Sequence, residues 1–227
     1  MKEPAAGCFG VCPREVCPPG QISPDTYRRS GVDAGANRAL SPRTGSTGPA
    51  SRMSPEGCLL GSPVVGNGSP HIVLRDLEDR DLDVLFEHWT DREAIRMAAF
   101  TPADPDDRGA FDARWARIRR DQTNTNRVIA TEGRVVGHIA SFDLEGQREV
   151  TYWIGRQYWG QGIATRALTE FLTRIETTRP LHARAASDNA GSIRVLEKCG
   201  FTRVGLDRGF AHGRNEETEE VILRLDA

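Results

Sequence analysis

The residues with the plainest chemical purpose run from Val150 to Thr165, VTYWIGRQYWGQGIAT. A strand-forming stretch rich in aromatic and β-branched side chains meets glycines at 160 and 162, and these open directly into an amphipathic helix. The first N–H groups of a helix have no internal partner and sit at the positive end of its dipole. Glycines there let an anion approach the backbone closely. The stretch therefore reads as an anion cradle suited to a phosphate or pyrophosphate.

Two nucleotide-binding alternatives fit less well. A dinucleotide fold wants G-x-G-x-x-G, and Thr165 occupies the third glycine position; it also wants parallel βαβ units, whereas a hairpin precedes this strand. A nucleoside-triphosphate loop would end in Gly-Lys-Ser/Thr, and the only lysines are Lys2 and Lys198. A glycine-rich connection that binds nothing is the bland alternative.

The elements that would position the cradle follow from periodicity. Ile72 to Arg75 reads as a short strand, and Leu82, Leu85, Phe86 and Trp89 recur at helical spacing over 79–90. Phe111, Trp115 and Ile118 mark a helix at about 106–120. Arg127–Thr131 and Arg134–Phe142 flank Glu132-Gly133 as a hairpin, and Gly146 turns the chain into a strand from Glu149 to Gly155. Ile163, Ala164, Ala167, Leu168, Phe171, Leu172 and Ile175 share one face of a helix over 162–177. A buried strand (181–185) and a helix (189–199) follow, the helix closed by Gly200, and strands 201–206 and 219–225 finish the chain. The class is α+β: a mixed, mostly antiparallel central sheet flanked by helices.

Composition breaks near residue 70. Residues 1–70 hold 10 of the 13 prolines and 11 of the 23 glycines, without apolar period, and read as a disordered tail; Met53 offers an alternative start. Residues 71–227 form the folded domain. Cys8, Cys12, Cys17 and Cys58 fall in the tail without paired C-x2-C spacing or a nearby histidine, so no metal site is expected. The formal net charge is -2, which argues against a nucleic-acid binder. No apolar run is long enough for a membrane helix and none resembles an export signal, so a cytoplasmic setting without a membrane partner is expected. An unpaired edge strand would serve a homodimer.

Gln157-x-x-Gly160-x-Gly162 between strand and helix, followed by Asn189-x-x-Ser192 and then Glu197-Lys198-x-Gly200-Phe201, resembles the motifs of the GNAT acyl-CoA N-acyltransferases. The wording Y-W-I-G-x-x-Y-W-G-Q-G resembles the RimJ/RimL branch most. The resemblance spans about 71–227. It implies a GNAT fold and acetyl-CoA as co-substrate, bound in a splay between two neighbouring strands. It also implies backbone pairing of the pantetheine arm with Trp153 and Ile154. The pyrophosphate would be held by the turn from Gln157 to Gly160 and by amides of Gln161, Gly162, Ile163 and Ala164. Asn189 would reach the pantetheine region.

The implied reaction is direct attack of a primary amine, at a protein N-terminus or on a small molecule, on the acetyl carbonyl in a ternary complex. The amine must be neutral, so a carboxylate has to take its proton. Glu149, opening the key strand, is the expected base, and His138 a weaker candidate. Many relatives place a tyrosine before the position of Glu197; here that residue is Leu196, and Ser192 is the expected donor to the departing thiolate. The alternative is a non-catalytic CoA-binding or sensing module of the same fold.

Overall fold

The structure is a computed structural model and describes residues 71–227. The expected tail and its four cysteines lie outside the described residues. One seven-stranded sheet organises the rest, in the order β1-β2-β3-β4-β5-β7-β6. Its strands are β1 (Ile72–Arg75), β2 (Thr125–Thr131), β3 (Arg134–Leu144), β4 (Gln147–Ile154), β5 (Leu181–Ala186), β6 (Thr202–Ala211) and β7 (Glu216–Leu225). Every neighbouring pair is antiparallel except β4 and β5, which run parallel.

Five helices cover the two faces: α1 (Asp81–Trp89), α2 (Arg92–Ala98), α3 (Arg108–Arg120), α4 (Ile163–Arg174) and α5 (Ala190–Lys198). The expected mixed, mostly antiparallel sheet flanked by helices is the observed architecture. Helix α4 buries Ile163, Ala167, Leu168, Phe171 and Leu172, the stripe its spacing requires. These residues pack with Leu181, Ala183, Ala185, Val221 and Leu223 of β5 and β7 into the main core. Truncating fully buried Leu168 to alanine would cost about 2–5 kcal/mol. On the other face Trp89, Phe111, Trp115 and Trp153 build a second, aromatic core.

Three departures from the sequence expectation have identifiable causes. Helix α2 was not anticipated: at seven residues with only Ala94 and Ile95 buried it is too short to show a period. Its start is fixed by Asp91, whose side chain accepts from the Ala94 amide. The β6–β7 hairpin is longer than expected. Register continues to Ala211↔Glu216, so most of the span read as a loop over 207–217 is paired strand. The acidic run Glu216-Glu217-x-Glu219-Glu220 has the look of a solvated face on an edge strand, but β7 is central, between β5 and β6. Only part of the run is solvated: Glu220 is 3% exposed.

Candidate active site

The parallel pair β4 and β5 is the feature that makes a site. Its register holds at one position, Glu149↔His182. Beyond it the strands part, and β4 runs on to Ile154 with no strand partner on that side among the described residues. Antiparallel strands alternate which backbone groups they offer to each neighbour. Gly155 N donates to Val136 O on β3 at 2.9 Å. The alternation therefore turns Trp153 toward β3 as well, and leaves the backbone groups of Tyr152 and Ile154 facing the gap. This corrects the expectation for Trp153: its backbone is committed to the sheet, and the backbone groups free on the gap side are those of Tyr152. The Ile154 carbonyl already accepts from the Trp159 indole at 2.8 Å.

The gap opens into a cleft of about 400 Å³ between β4, α4 and α5, roofed by Ala94, Met97 and Ala98 of α2. Of the expected co-substrate residues, Trp153, Ile154, Gly160, Gly162, Ile163, Ala164 and Asn189 line it. Gly160 and Gly162 take φ of 75° and 72°, a left-handed backbone that glycine adopts without strain. A β-carbon at either would meet nothing within 4 Å, so the backbone is open to an approaching group. Among the described residues, the amides from Gly160 to Thr165 find no carbonyl acceptor; the first helical bond is Arg166 N to Gly162 O. The cradle expected from sequence is present as a run of unpaired donors at the start of α4.

Gln157 and Gln161 do not line the cleft. Gln161 Nε2 donates to Gln157 O at 3.1 Å, and the Gln157 amide lies 3.3 Å from His88 Nε2. Their side chains brace the loop from behind. Asn189 is spent in a similar way: its Oδ1 caps α5 by accepting from Ser192 N, and its Nδ2 donates to Met97 O. It ties the α2 roof to the α5 start.

Ser192 lines the cleft, and its Oγ lies 2.8 Å from the Tyr152 hydroxyl. Burial raises the Tyr152 phenol above its ordinary value, outweighing the Ser192 hydrogen bond, so the hydroxyl keeps its proton. Ser192 sits in the first turn of α5, where the helix dipole favours an anion. Leu196, at the position where a tyrosine was sought, is buried in the core.

Glu149 stands at the apex of the gap but does not line the cleft. It is 2% exposed, on the opposite face of the sheet, and accepts from Arg184 Nε at 3.0 Å. Burial raises its carboxyl, with the Arg184 charge pulling the other way. His138 is buried against Trp115, and burial lowers it to about 3, so it is neutral near pH 7 and a poor proton acceptor.

Sequence reasoning missed Arg194 and Lys198. They are four apart on α5, so they share a helix face; both line the cleft, and neither has a carboxylate partner among the described residues. Most other arginines here are ion-paired. The i, i+4 spacing of two cations beside a phosphate cradle was the available signal.

Residues 71–202 match the family model described as an acetyltransferase (GNAT) domain. An uncharacterized N-acetyltransferase p20 from Bacillus licheniformis is 27% identical over 171 residues, which is 68% of this chain and 92% of that protein. RimJ from Mycobacterium smegmatis, solved with CoA-disulfide, superposes with a TM-score of 0.60 at 20% identity, over 69% of this chain and 82% of its own. Spermidine N-acetyltransferase from Vibrio cholerae, solved with CoA and spermine, does so with 0.56 at 17%, over 67% and 95%. A family match across more than half of the chain, on the mixed sheet with its parted β4 and β5, places this protein in the GNAT acetyltransferase family.

Proposed function

We propose that the protein is an acetyl-CoA-dependent N-acetyltransferase of the RimJ/RimL-like kind, acting on a primary amine in a cytoplasmic setting. The observation that carries this is the row of unpaired amides from Gly160 to Thr165 opening onto the β4–β5 gap. A diphosphate on those amides would send a thin pantetheine arm along the free edge of β4, past Tyr152 and Ile154. The cleft volume and its largely apolar lining suit such an arm.

Acetyl-CoA supplies an activated acyl group, so the chain needs no covalent nucleophile. The amine loses a proton, its nitrogen lone pair attacks the thioester carbon, and the C–S bond breaks as the thiolate leaves. Glu149, at the apex of the gap with a raised carboxyl, is the proposed proton acceptor. Ser192, held by Tyr152 at the positive end of α5, is the proposed donor to the sulfur. The amine's proton ends on Glu149 and then in solvent; the thiolate leaves as the free thiol by taking the Ser192 proton, which solvent returns to the serine.

Titration calorimetry with acetyl-CoA and a thiol-release assay over an amine panel test the reading together. Micromolar binding with turnover supports it. Binding without turnover on any amine leaves a CoA-sensing module, and absence of binding removes both.

A further inference from the structure

The face of the sheet beneath the exit of α2 holds buried polar atoms that the protein itself does not satisfy. Among the described residues Glu220 Oε2 and Thr218 Oγ1 have no hydrogen-bond partner, on residues 3% and 7% exposed. They lie two residues apart on β7, so their side chains share a face. Thr101 Oγ1, also buried and unpartnered, belongs to the turn that leaves α2. Ala99 and Phe100 of that turn pack on Ala186, the register neighbour of Glu220, and on Ala211. A β-carbon on Gly213 would lie 2.9 Å from Thr101 Oγ1, so the β6–β7 turn closes the same corner. Buried polar groups are normally paired; two hydroxyls and a carboxylate oxygen, all able to accept and all unanswered on one face, signal a missing hydrogen-bonding partner.

The charges on this face specify the donor. Arg184 is held by carboxylates: its Nε by Glu149 Oε1 at 3.0 Å, and its Nη1 by Glu220 Oε1 at 3.2 Å and Asp207 Oδ2 at 3.3 Å. One guanidinium thus faces three carboxylates. Arg214, near the α2 exit, has both Nη groups on Asp188 and its Nε on Arg96 O. The corner favours a cation with several N–H donors and repels an added carboxylate.

We infer that Glu220 and Thr218 form the acceptor subsite, and that the acceptor is a primary alkylammonium whose amine-bearing carbon carries no carboxylate. This rests on the transferase reading above. It separates amines, including amide-blocked α-amines, from free α-amino acids.

Matched pairs test it in the full-length protein with acetyl-CoA: alaninamide against alanine, and phenethylamine against phenylalanine, read as kcat/KM from thiol release. The amines without the carboxylate should win by about tenfold or more. Glu220→Gln should raise KM for them about tenfold with acetyl-CoA affinity unchanged. Thr218→Val, of nearly the same shape and losing only an unpaired hydroxyl, should keep or raise the melting temperature while raising that KM. Equal or better use of the free amino acids overturns the inference. So does an unchanged KM in both variants, or acetyl-CoA binding by calorimetry with no amine turned over. Loss of acetyl-CoA binding in the unaltered protein would instead remove the transferase reading beneath it.

Discussion

The Tyr152 hydroxyl and Ser192 Oγ lie 2.8 Å apart, joining β4 to the first turn of α5 across the mouth of the cleft. Tyr152 also reaches the Ser192 carbonyl at 3.2 Å, so the serine is held from both ends. This pair supplies what Leu196 cannot, a hydroxyl at the helix start with its rotamer fixed. Ser192→Ala should lower kcat by about 100-fold while leaving KM for acetyl-CoA unchanged, because a proton donor acts in the transition state and not in binding. Tyr152→Phe releases the serine hydroxyl from a hydrogen bond of about 1 kcal/mol and the Ser192 carbonyl from a longer one, and should cost roughly fivefold in kcat. Equal, small effects on kcat in both variants would remove the serine from proton transfer.

Gly162 separates tolerance of the fold from function. A β-carbon there meets no protein atom within 4 Å, so the main cost of Gly162→Val to the fold is its left-handed backbone, about 1–2 kcal/mol. It nevertheless plants an isopropyl group in front of the free amides. CoA affinity by calorimetry should fall at least about tenfold, the worth of a lost charge-assisted hydrogen bond. Normal affinity in a folded Gly162→Val protein would empty the cradle of its role.

How much of this was legible depended on how local the signal is. The strand–glycine–helix unit was readable because Gly160, Gly162 and the α4 stripe lie within one short segment. The gap was legible only as what the family resemblance implied, not from the residues themselves, since it arises where β4 and β5 stop pairing after Glu149↔His182, and that is a property of two strands far apart in sequence. The choice between Trp153 and Tyr152 for the gap edge likewise depends on the β3–β4 register, which periodicity does not fix. Glu220 was unreadable for the same reason: three other glutamates in its run suggested solvent, and only β7's central place turns it inward.

Arg194 and Lys198 stand beside the cradle with no carboxylate to hold them, and an anion is the partner that position offers. Replacing both with alanine should weaken CoA binding about tenfold, at roughly 0.7 kcal/mol for each exposed ion contact. It should also flatten the salt dependence of binding, since exposed charge contacts are screened. Dephospho-CoA, one phosphate shorter, should be affected less. Identical losses for the two ligands would confine these cations to the diphosphate.

For Glu149 the test is the pH profile. A base must be deprotonated to act, so kcat/KM should rise with pH along an acid limb. Burial places the midpoint above the usual glutamate value of about 4.3. Glu149→Gln should abolish that limb and leave calorimetric acetyl-CoA affinity intact. A limb that persists in the variant would pass the role to another carboxylate, with Glu220 next in the same cluster.

Glu176 is a place where acid should weaken the fold. It follows α4, and its Oε2 accepts from Ser141 Oγ at 2.6 Å and from Arg148 Nε at 2.9 Å, while Oε1 accepts from the Thr178 amide. Burial pushes its carboxyl up, but the hydrogen bonds from Ser141, Thr178 and Arg148 outweigh it and hold the group down at about 2. A carboxyl lowered in the folded state contributes stability that is complete above its unfolded value of about 4.3. That contribution should drain away as pH falls from there toward 2. Urea titrations across this window should show the loss, and Glu176→Gln should remove roughly 2 kcal/mol at pH 7 and flatten the slope below pH 4.5, since Arg148 loses its short ion pair and keeps only the longer one to Asp143 at 3.5 Å. Because Ser141 and Arg148 belong to β3 and β4, the same variant loosens the end of the sheet from which the gap opens. An unaltered slope in Glu176→Gln would assign the acid response to a different carboxylate.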